Sequence, residues 1–562
     1  MLRKIRIAVQ TFCFSLFTVH VFAALTYPLH PNIPHDILFA SNPLIGALTT
    51  IASRAANPPL IISAVIMSII AILLGRIFCG FMCPLGALID FSDKFFTSSV
   101  RHKTNSISNS WHAVKYVLLF AIFVLALFGI LFPLFFDPLS MLTRIFTLVF
   151  YPLISLVMHD SYAAWGVIAD NLKIETGLKT IAIPLYYGTA LAAGTLLLIL
   201  GAGALRPRFF CQYICPTGAF LGLIGCKPIF RRIADPAKCK QCSACSKSCP
   251  TGAISVTDHH VTKSSECIVC GKCSKKFGCS AFGFASYSSK QESLPDITRR
   301  KSIIGVGMGL LALPLFRATA TKDGNGSGKI IRPPGAIPEE QFLRLCITCE
   351  ACTKVCPTQA IQPASMFDGF NRINTPKIVP RIGGCEETCA ACGHVCPTGA
   401  LRGLPESEKP FVKIGTAVVD RHKCVAWAQN RECLVCDENC PYHAVKFSHQ
   451  QTTKGVFKVP VVYEDLCVGC GRCEKACPVV DNAAIVVFNF GENRRSSGAY
   501  MSDEQKEKVK NRRKESGQDA MREGSSNTVQ DVKETKSVLK EEGMESYGSE
   551  SLKEGALPPG FQ

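Results

Sequence analysis

Apolar residues are distributed unevenly along the chain. Four long apolar stretches, near 5–25, 58–78, 113–135 and 180–203, give way to a second half in which apolar residues come in short pieces between cysteines. A helix needs roughly 20 residues to cross a bilayer, so these stretches predict four spans. A fifth apolar run, LTRIFTLVFYPLISLVM at 142–158, contains Arg144 and Pro152. It reads as an interfacial or re-entrant segment, because a full crossing would upset the parity required further along the chain. Arg3, Lys4 and Arg6 precede the first stretch, and Lys94, Arg101, Lys103 and Lys115 lie between the second and third. The positive-inside rule therefore puts the N-terminus, and the chain after Arg206, in the cytoplasm. Residues 491–562, rich in Lys, Glu, Ser and Gly with few aromatics, read as a disordered tail.

Composition agrees with a chain that is part membrane and part soluble. A mean hydropathy of +0.22, 48% hydrophobic residues and 19% charge are too apolar for an ordinary soluble protein. The formal net charge of +18 would suit a nucleic-acid partner. Basic residues held on the inner side of a membrane account for it equally well. The 30 cysteines fall mostly in tight repeated groups within a large chain, which favours metal ligation over a disulfide framework.

Two of these groups end membrane stretches. GRIFCGFMCPLGALID (75–90) and RPRFFCQYICPTGAFLG (206–222) both carry Arg, Phe and then CxxxCPxGA. Each looks like a two-helix unit delivering the same loop to the cytoplasmic surface, so Cys79, Cys83, Cys211 and Cys215 would emerge on one side. Tight loops stopped by Pro84 and Pro216, with incidental thiols, are the bland reading. The repeat of spacing favours a redox role, either as one shared cluster or as redox thiols.

Six further groups lie in the soluble regions. Cys239, Cys242, Cys245 and Cys249 stand as CxxCxxCxxxCP; Cys346, Cys349, Cys352 and Cys356 repeat this, as do Cys467, Cys470, Cys473 and Cys477. The spacing lets three cysteines wrap one face of a [4Fe–4S] cubane while the fourth points away to a neighbouring cluster. The proline that follows turns the chain. Three groups depart from the pattern. Cys267, Cys270, Cys273 and Cys279 have a longer last gap, Cys385, Cys389, Cys392 and Cys396 a longer first gap, and Cys424 stands apart from Cys433, Cys436 and Cys440. A zinc reading stays open only for Cys385 to Cys396, because the other runs lack paired CxxC units separated by a longer loop. The tails CPTGAI, CPTQAI, CPTGAL and CPYHAV add a small and an apolar residue that would pack beside a cluster. Cys13 and Cys226 remain as packing residues. About six clusters, each with four thiolates carrying a charge of −2, would lower the net charge to about +6, which removes the argument for nucleic acid.

Residues 298–320, TRRKSIIGVGMGLLALPLFRATA, have the form of a secretory signal: Arg299 and Arg300, an apolar run at 303–316, and Ala318-Thr319-Ala320 as a cleavage-like exit. A buried helix between two domains is the alternative. Export through the twin-arginine translocase, which carries folded cargo, would place residues 337–490 in the periplasm, tethered or cleaved free. At this point the chain resembles a known family. Residues 1–290 look like NapH, the membrane ferredoxin subunit of periplasmic nitrate reductase systems, in their four spans, two CxxxCP loops and two-cluster domain. Residues 298–490 resemble NapG and MauM, which begin with a twin-arginine signal and carry four [4Fe–4S] motifs. The implied fold is that of a multidomain membrane protein, an α-helical four-span bundle followed by α+β bacterial-type 2[4Fe-4S] ferredoxin domains. The units would be 1–225, a membrane domain; 226–297, a cytoplasmic two-cluster domain; 298–336, signal and linker; 337–490, a four-cluster domain; and 491–562, the tail.

The implied function is electron transfer from the quinol pool of the bacterial inner membrane to a periplasmic reductase or c-type cytochrome. A quinol site needs a polar group at membrane depth, and His20, His30, His35, Asp36, Asp137 and His159 are placed for it without an assignable role. No nucleotide-binding loop, molybdenum-type domain or haem CxxCH motif is evident, which leaves the terminal reduction to a partner. Two alternatives stay open: an electron-supplying maturation factor for a periplasmic metalloenzyme, and a conduit fed by a cytoplasmic donor.

Overall fold

The computed structural model describes residues 2–29, 37–55, 57–94, 109–171, 183–234, 239, 242–255, 261–275, 282–286, 299–321, 330–452 and 455–525. The first half is helical. The predicted stretches become α1 (Leu2–Val19), α3 (Pro58–Leu74), α5 (Val114–Leu127) and α8 (Thr189–Gly201), and α2 (Pro43–Ser53), which the apolar pattern did not single out, packs between α3 and α5. Proline and Asn42 explain why α2 starts where it does: Pro43 occupies the first turn, and the Asn42 side chain accepts from the Leu44 N–H. Two short helices after proline, α4 (Pro84–Ser92) and α9 (Pro216–Ile224), follow the two CxxxCP loops. Two helical runs, Lys4–Ala23 and Pro138–Trp165, are long and apolar enough to cross a membrane. The other three predicted spans form shorter apolar helices of 10–17 residues. Exposed Phe12, Leu16, Ile62, Ile66, Ile69, Leu197 and Leu198 give the bundle an apolar belt.

The run at 142–158, expected as an interfacial or re-entrant segment, lies in a helical stretch long and apolar enough to cross a membrane. It lies within α6 (Pro138–Ile145), a π-turn (Phe146–Phe150) and α7 (Tyr151–Asn171), joined without a break. Pro152 does not interrupt the run because it sits just after the π-turn, where the wider hydrogen-bond pattern accommodates a missing N–H. Arg144 does not force the run into water, because its buried guanidinium donates to the carbonyls of Phe135 and Thr348.

The segment at 303–316 belongs to α10 (Arg299–Thr321), which runs beside and parallel to α5. A Cβ at Gly305 would meet the Val117 carbonyl at 2.8 Å, and one at Gly309 would meet the Val124 Cβ at 2.8 Å. Glycine at these two points lets the helices touch along their backbones.

The cysteine-rich regions dock at opposite ends of α5. At its start, Lys115 and Tyr116 hold Glu266, which Arg76 also binds at 2.9 Å. Past its end, Gly129 lies against Arg344, while Lys354 donates to Thr26 and sits 3.3 Å above the Tyr151 ring. Each region is built from short antiparallel pairs. β1 (Phe230–Ala234) pairs with β2 (Phe282–Ser286), β3 (Ile361–Pro363) with β4 (Pro376–Ile378), β5 (Thr416–Val419) with β8 (Ile485–Phe488), and β6 (Val445–Thr452) with β7 (Gly455–Val462).

Part of the expected disordered tail is ordered: Tyr500 is buried, and α11 (Asp503–Ser525) lies on the second region. Arg513 donates to the carbonyls of Pro410 and Leu466 and covers the Tyr442 ring, and Ser516 donates to the His443 carbonyl. Arg512 also pairs with Asp465 and Lys510 lies over the Phe411 ring, so a few anchors hold a highly charged helix, which composition averaged over the whole tail conceals. Residues 526–562 lie outside the described residues.

Candidate metal centres

Strand pairing decides which cysteines meet. Antiparallel pairing of β6 with β7 brings Cys440, just before β6, beside Cys467, just after β7. Pairing of β5 with β8 returns Cys477 to Cys424 in the same way. One apolar cavity is consequently lined by Cys424, Cys433, Cys436 and Cys477, and a second by Cys440, Cys467, Cys470 and Cys473. The fourth cysteine of each run has crossed to the neighbouring set.

The same exchange recurs twice. The Ala336–Leu401 bridge sets Cys396 within electrostatic reach of Cys346, Cys349 and Cys352. The β3–β4 pair sets Cys356 within reach of Cys385, Cys389 and Cys392. In the first region, the Ile254–Thr262 bridge brings Cys249 to Cys267, Cys270 and Cys273. Cys245 lies in reach of Cys239, and Cys242 is exposed. Cys279, which would complete that set, lies outside the described residues, as do His30, His35 and Asp36.

These pockets fit an iron–sulfur cluster on the chemistry of their linings. The N–H groups of Ala253, Leu401, Ala444 and Ala484 point at the sulfurs of Cys249, Cys396, Cys440 and Cys477, at 3.3 to 3.4 Å. In the CPxxA tails Ala253, Ala360, Ala400 and Ala444 are all buried with the apolar residue that follows, and two of them, Ala253 and Ala444, are themselves the donors. Between the first three cysteines the backbone repeatedly enters the left-handed region, at Thr348 and Glu350, Val269 and Gly271, and Gly469 and Gly471. That alternation turns successive N–H groups inward and makes an anion-binding concavity. Burial pushes the thiols of Cys346, Cys436 and Cys470 up to about 12. They are neutral when free and become thiolates when iron supplies the compensating charge.

The CxxxCP loops do not emerge at a surface. Cys83 and Cys215 belong to the core of the bundle, with Cys79 and Cys211 packed against it. Cys83 lies within electrostatic reach of Cys79 and Cys211, and Cys215 within reach of the other three. Pro84 and Pro216 end the loops by starting helices that are themselves mostly buried. Phe220 of α9 stacks 6.0 Å from Phe123 of α5, and Thr217 donates to buried Asp137 at 2.6 Å.

The arginine three residues before each loop's first cysteine crosses to the other loop. Arg208 binds Asp90 through two nitrogens, at 2.7 and 3.0 Å, and donates to the Cys79 and Gly86 carbonyls. The Arg76 guanidinium lies against Gly218. This reciprocal role was visible in sequence only as an equal offset. Of the other polar groups considered for a quinol site, Asp137 is enclosed by Asn42, Thr217 and two backbone N–H groups. His20 is buried, and His159 is exposed beside Asp160. Cys13 and Cys226 are partly buried.

Repeated cysteine sets closed by antiparallel pairs define a multi-cluster ferredoxin. The 4Fe-4S dicluster domain family matches residues 345–400 and 431–480. One 4Fe-4S binding domain family matches 233–255, and another 56–101, 187–233 and 392–409. The methylamine utilization ferredoxin-type protein MauM of Methylorubrum extorquens is 36% identical over 182 residues, 32% of this chain and 80% of the relative. The ferredoxin-type protein NapG of Escherichia coli is 34% identical over 194 residues, 34% of this chain and 83% of the relative. An uncharacterized protein of Methanocaldococcus jannaschii is 26% identical over 249 residues, 44% of this chain and 87% of the relative. The chain belongs to the NapG/MauM family of ferredoxin-type proteins and carries [4Fe–4S] clusters.

Proposed function

We propose that the chain joins a NapH-like membrane ferredoxin to an exported NapG/MauM-like one. It would carry electrons from the quinol pool, through [4Fe–4S] clusters, to a periplasmic reductase, nitrate reductase being the one the resemblance implies. The observation that carries this reading is the docking of two cysteine-bearing regions at opposite ends of α5. With α1, α3, α5 and α8 as spans, α10 as a fifth crossing and the long 138–171 run not crossing, the ferredoxin region at 226–297 faces the cytoplasm and the region from 330 the periplasm. Arg299 and Arg300 start α10 on the cytoplasmic side, and its packing along α5 supports a retained anchor over a cleaved signal. Each converged set of four cysteines holds one cluster, with Cys279 completing Cys239, Cys242 and Cys245. The bound clusters supply one-electron steps, and the protein supplies spacing, burial and N–H groups.

The test is anaerobic reduction of the intact chain in detergent by menaquinol, followed by bleaching and EPR, with dithionite marking full reduction. Substantial reduction by quinol without another protein is the expected result. A second reading, a cytoplasmic electron donor docking at the first region, is favoured by the exposure of Cys242. Reduction by dithionite with none by quinol would select it.

A further inference from the structure

The two cluster-bearing regions are separated by the length of α5, 14 residues, or about 21 Å of helix. Electron tunnelling falls off exponentially with distance, so a single hop along that length is slow. The four CxxxCP thiols lie between the two ends. On one side, a Cβ at Gly80, between Cys79 and Cys83, would sit 2.3 Å from the carbonyl of Ile268, between Cys267 and Cys270. On the other, Thr217 follows Cys215 and holds Asp137, the cap of α6, whose Arg144 donates to the Thr348 carbonyl between Cys346 and Cys349 at 3.1 Å. The eight residues of α6 measure about 12 Å.

A second observation points to a ligand among the thiols. Arg76 is 1% exposed, and its Nη1 is used by Glu266 and Ser265, but Nε and Nη2 have no hydrogen-bond partner. Nη2 would lie 2.5 Å from a Cβ built on Gly218, which would itself lie 3.4 Å from the Cys215 sulfur. A buried guanidinium with open donors beside converging thiols needs an anionic acceptor. A polynuclear cluster with bridging sulfides, carrying net negative charge, would supply that acceptor.

Building on the polyferredoxin reading above, we infer that Cys79, Cys83, Cys211 and Cys215 hold one further iron–sulfur cluster inside the bundle, which relays electrons across the membrane between the two ferredoxin regions. One electron leaves the cluster of Cys249, Cys267, Cys270 and Cys273, occupies this site, and leaves for that of Cys346, Cys349, Cys352 and Cys396. No bond forms or breaks, and each site alternates between its oxidised and one-electron-reduced state.

Iron, sulfide and zinc are measured on the intact anaerobically purified chain, and on the C83S/C215S variant. Seven clusters would give about 28 iron and 28 sulfide per chain, and the variant about four fewer of each. In vesicles oriented with the first region outward, external dithionite should reduce the enclosed clusters of the wild type, with at least a tenfold loss of rate in the variant. If the variant fails to fold, the wild-type count decides. Six clusters with Cys79, Cys83, Cys211 and Cys215 open to alkylation, or one zinc and no seventh cluster, overturns the relay and leaves the polyferredoxin reading standing. Fewer than six clusters in the wild type would overturn that reading as well.

Discussion

Arg381 donates to four carbonyls, those of Glu474, Cys477, Val479 and Val480, at 2.6 to 3.0 Å. These carbonyls flank the cysteine that crosses to Cys424, so one side chain fixes where its sulfur points. Arg381→Met should leave four acceptors unpaired and lose the cluster at that set, a fall of about four iron per chain. Iron analysis against unchanged content at the other sets checks it. Glu339 shows charge in a purely structural role. Burial opposes its ionisation, but Arg332, Arg494 and Arg372 hold it at about 2. Because the folded value lies below the ordinary carboxylate value of about 4.5, the stabilisation is present above about pH 4.5 and is lost as pH falls toward 2. Glu339→Gln should cost about 1–3 kcal/mol at pH 7. Its unfolding midpoint should also vary less than the wild type's between pH 5 and 3, read by cluster bleaching on heating. The grouping of the cysteines was legible from spacing because a cubane demands a fixed local loop. Arg381 and Arg76 were not, because their partners lie far away in the chain.

Among the elements, α10 shows how one composition serves two roles. Its apolar, glycine-rich run has the form of an export signal, and two of its glycines, Gly305 and Gly309, are also where it touches α5. Gly305→Leu with Gly309→Leu should keep the run apolar, and therefore able to insert, while forcing the helices apart. The expected result is normal membrane localisation with the 330–525 region released sooner by limited proteolysis; unchanged protease resistance would mean the packing contributes nothing. Apolar runs gave away the helices of the bundle, because burial and lipid demand the same residues. They did not reveal α2, which is short. Nor did they show the full extent of the Pro138–Asn171 run, where a buried Arg144 finds its acceptors only after folding. The order of α11 escaped composition for the reason its anchors show: a few residues, Lys510, Arg512, Arg513 and Ser516, make its contacts with the second region, and an average over the tail does not register them.

For the whole molecule, Glu266 is the joint between the first ferredoxin region and the bundle. Removing its carboxylate leaves Arg76 and Lys115 buried without a counter-charge, which costs about 3–5 kcal/mol. Glu266→Ala should therefore release residues 226–297 to protease while the clusters beyond residue 330 keep their EPR signals; equal protection of variant and wild type would show that the joint lies elsewhere. The crossed cysteines also set a timetable for synthesis. Cys346, Cys349 and Cys352 leave the ribosome well before Cys396, and Cys424, Cys433 and Cys436 before Cys477. No set can close on its own stretch of nascent chain, so the machinery that delivers iron and sulfide must wait for a pair of motifs. A premature stop between two paired motifs leaves both sites of that pair incomplete, and the chain then offers the cell thiols where a finished protein offers clusters.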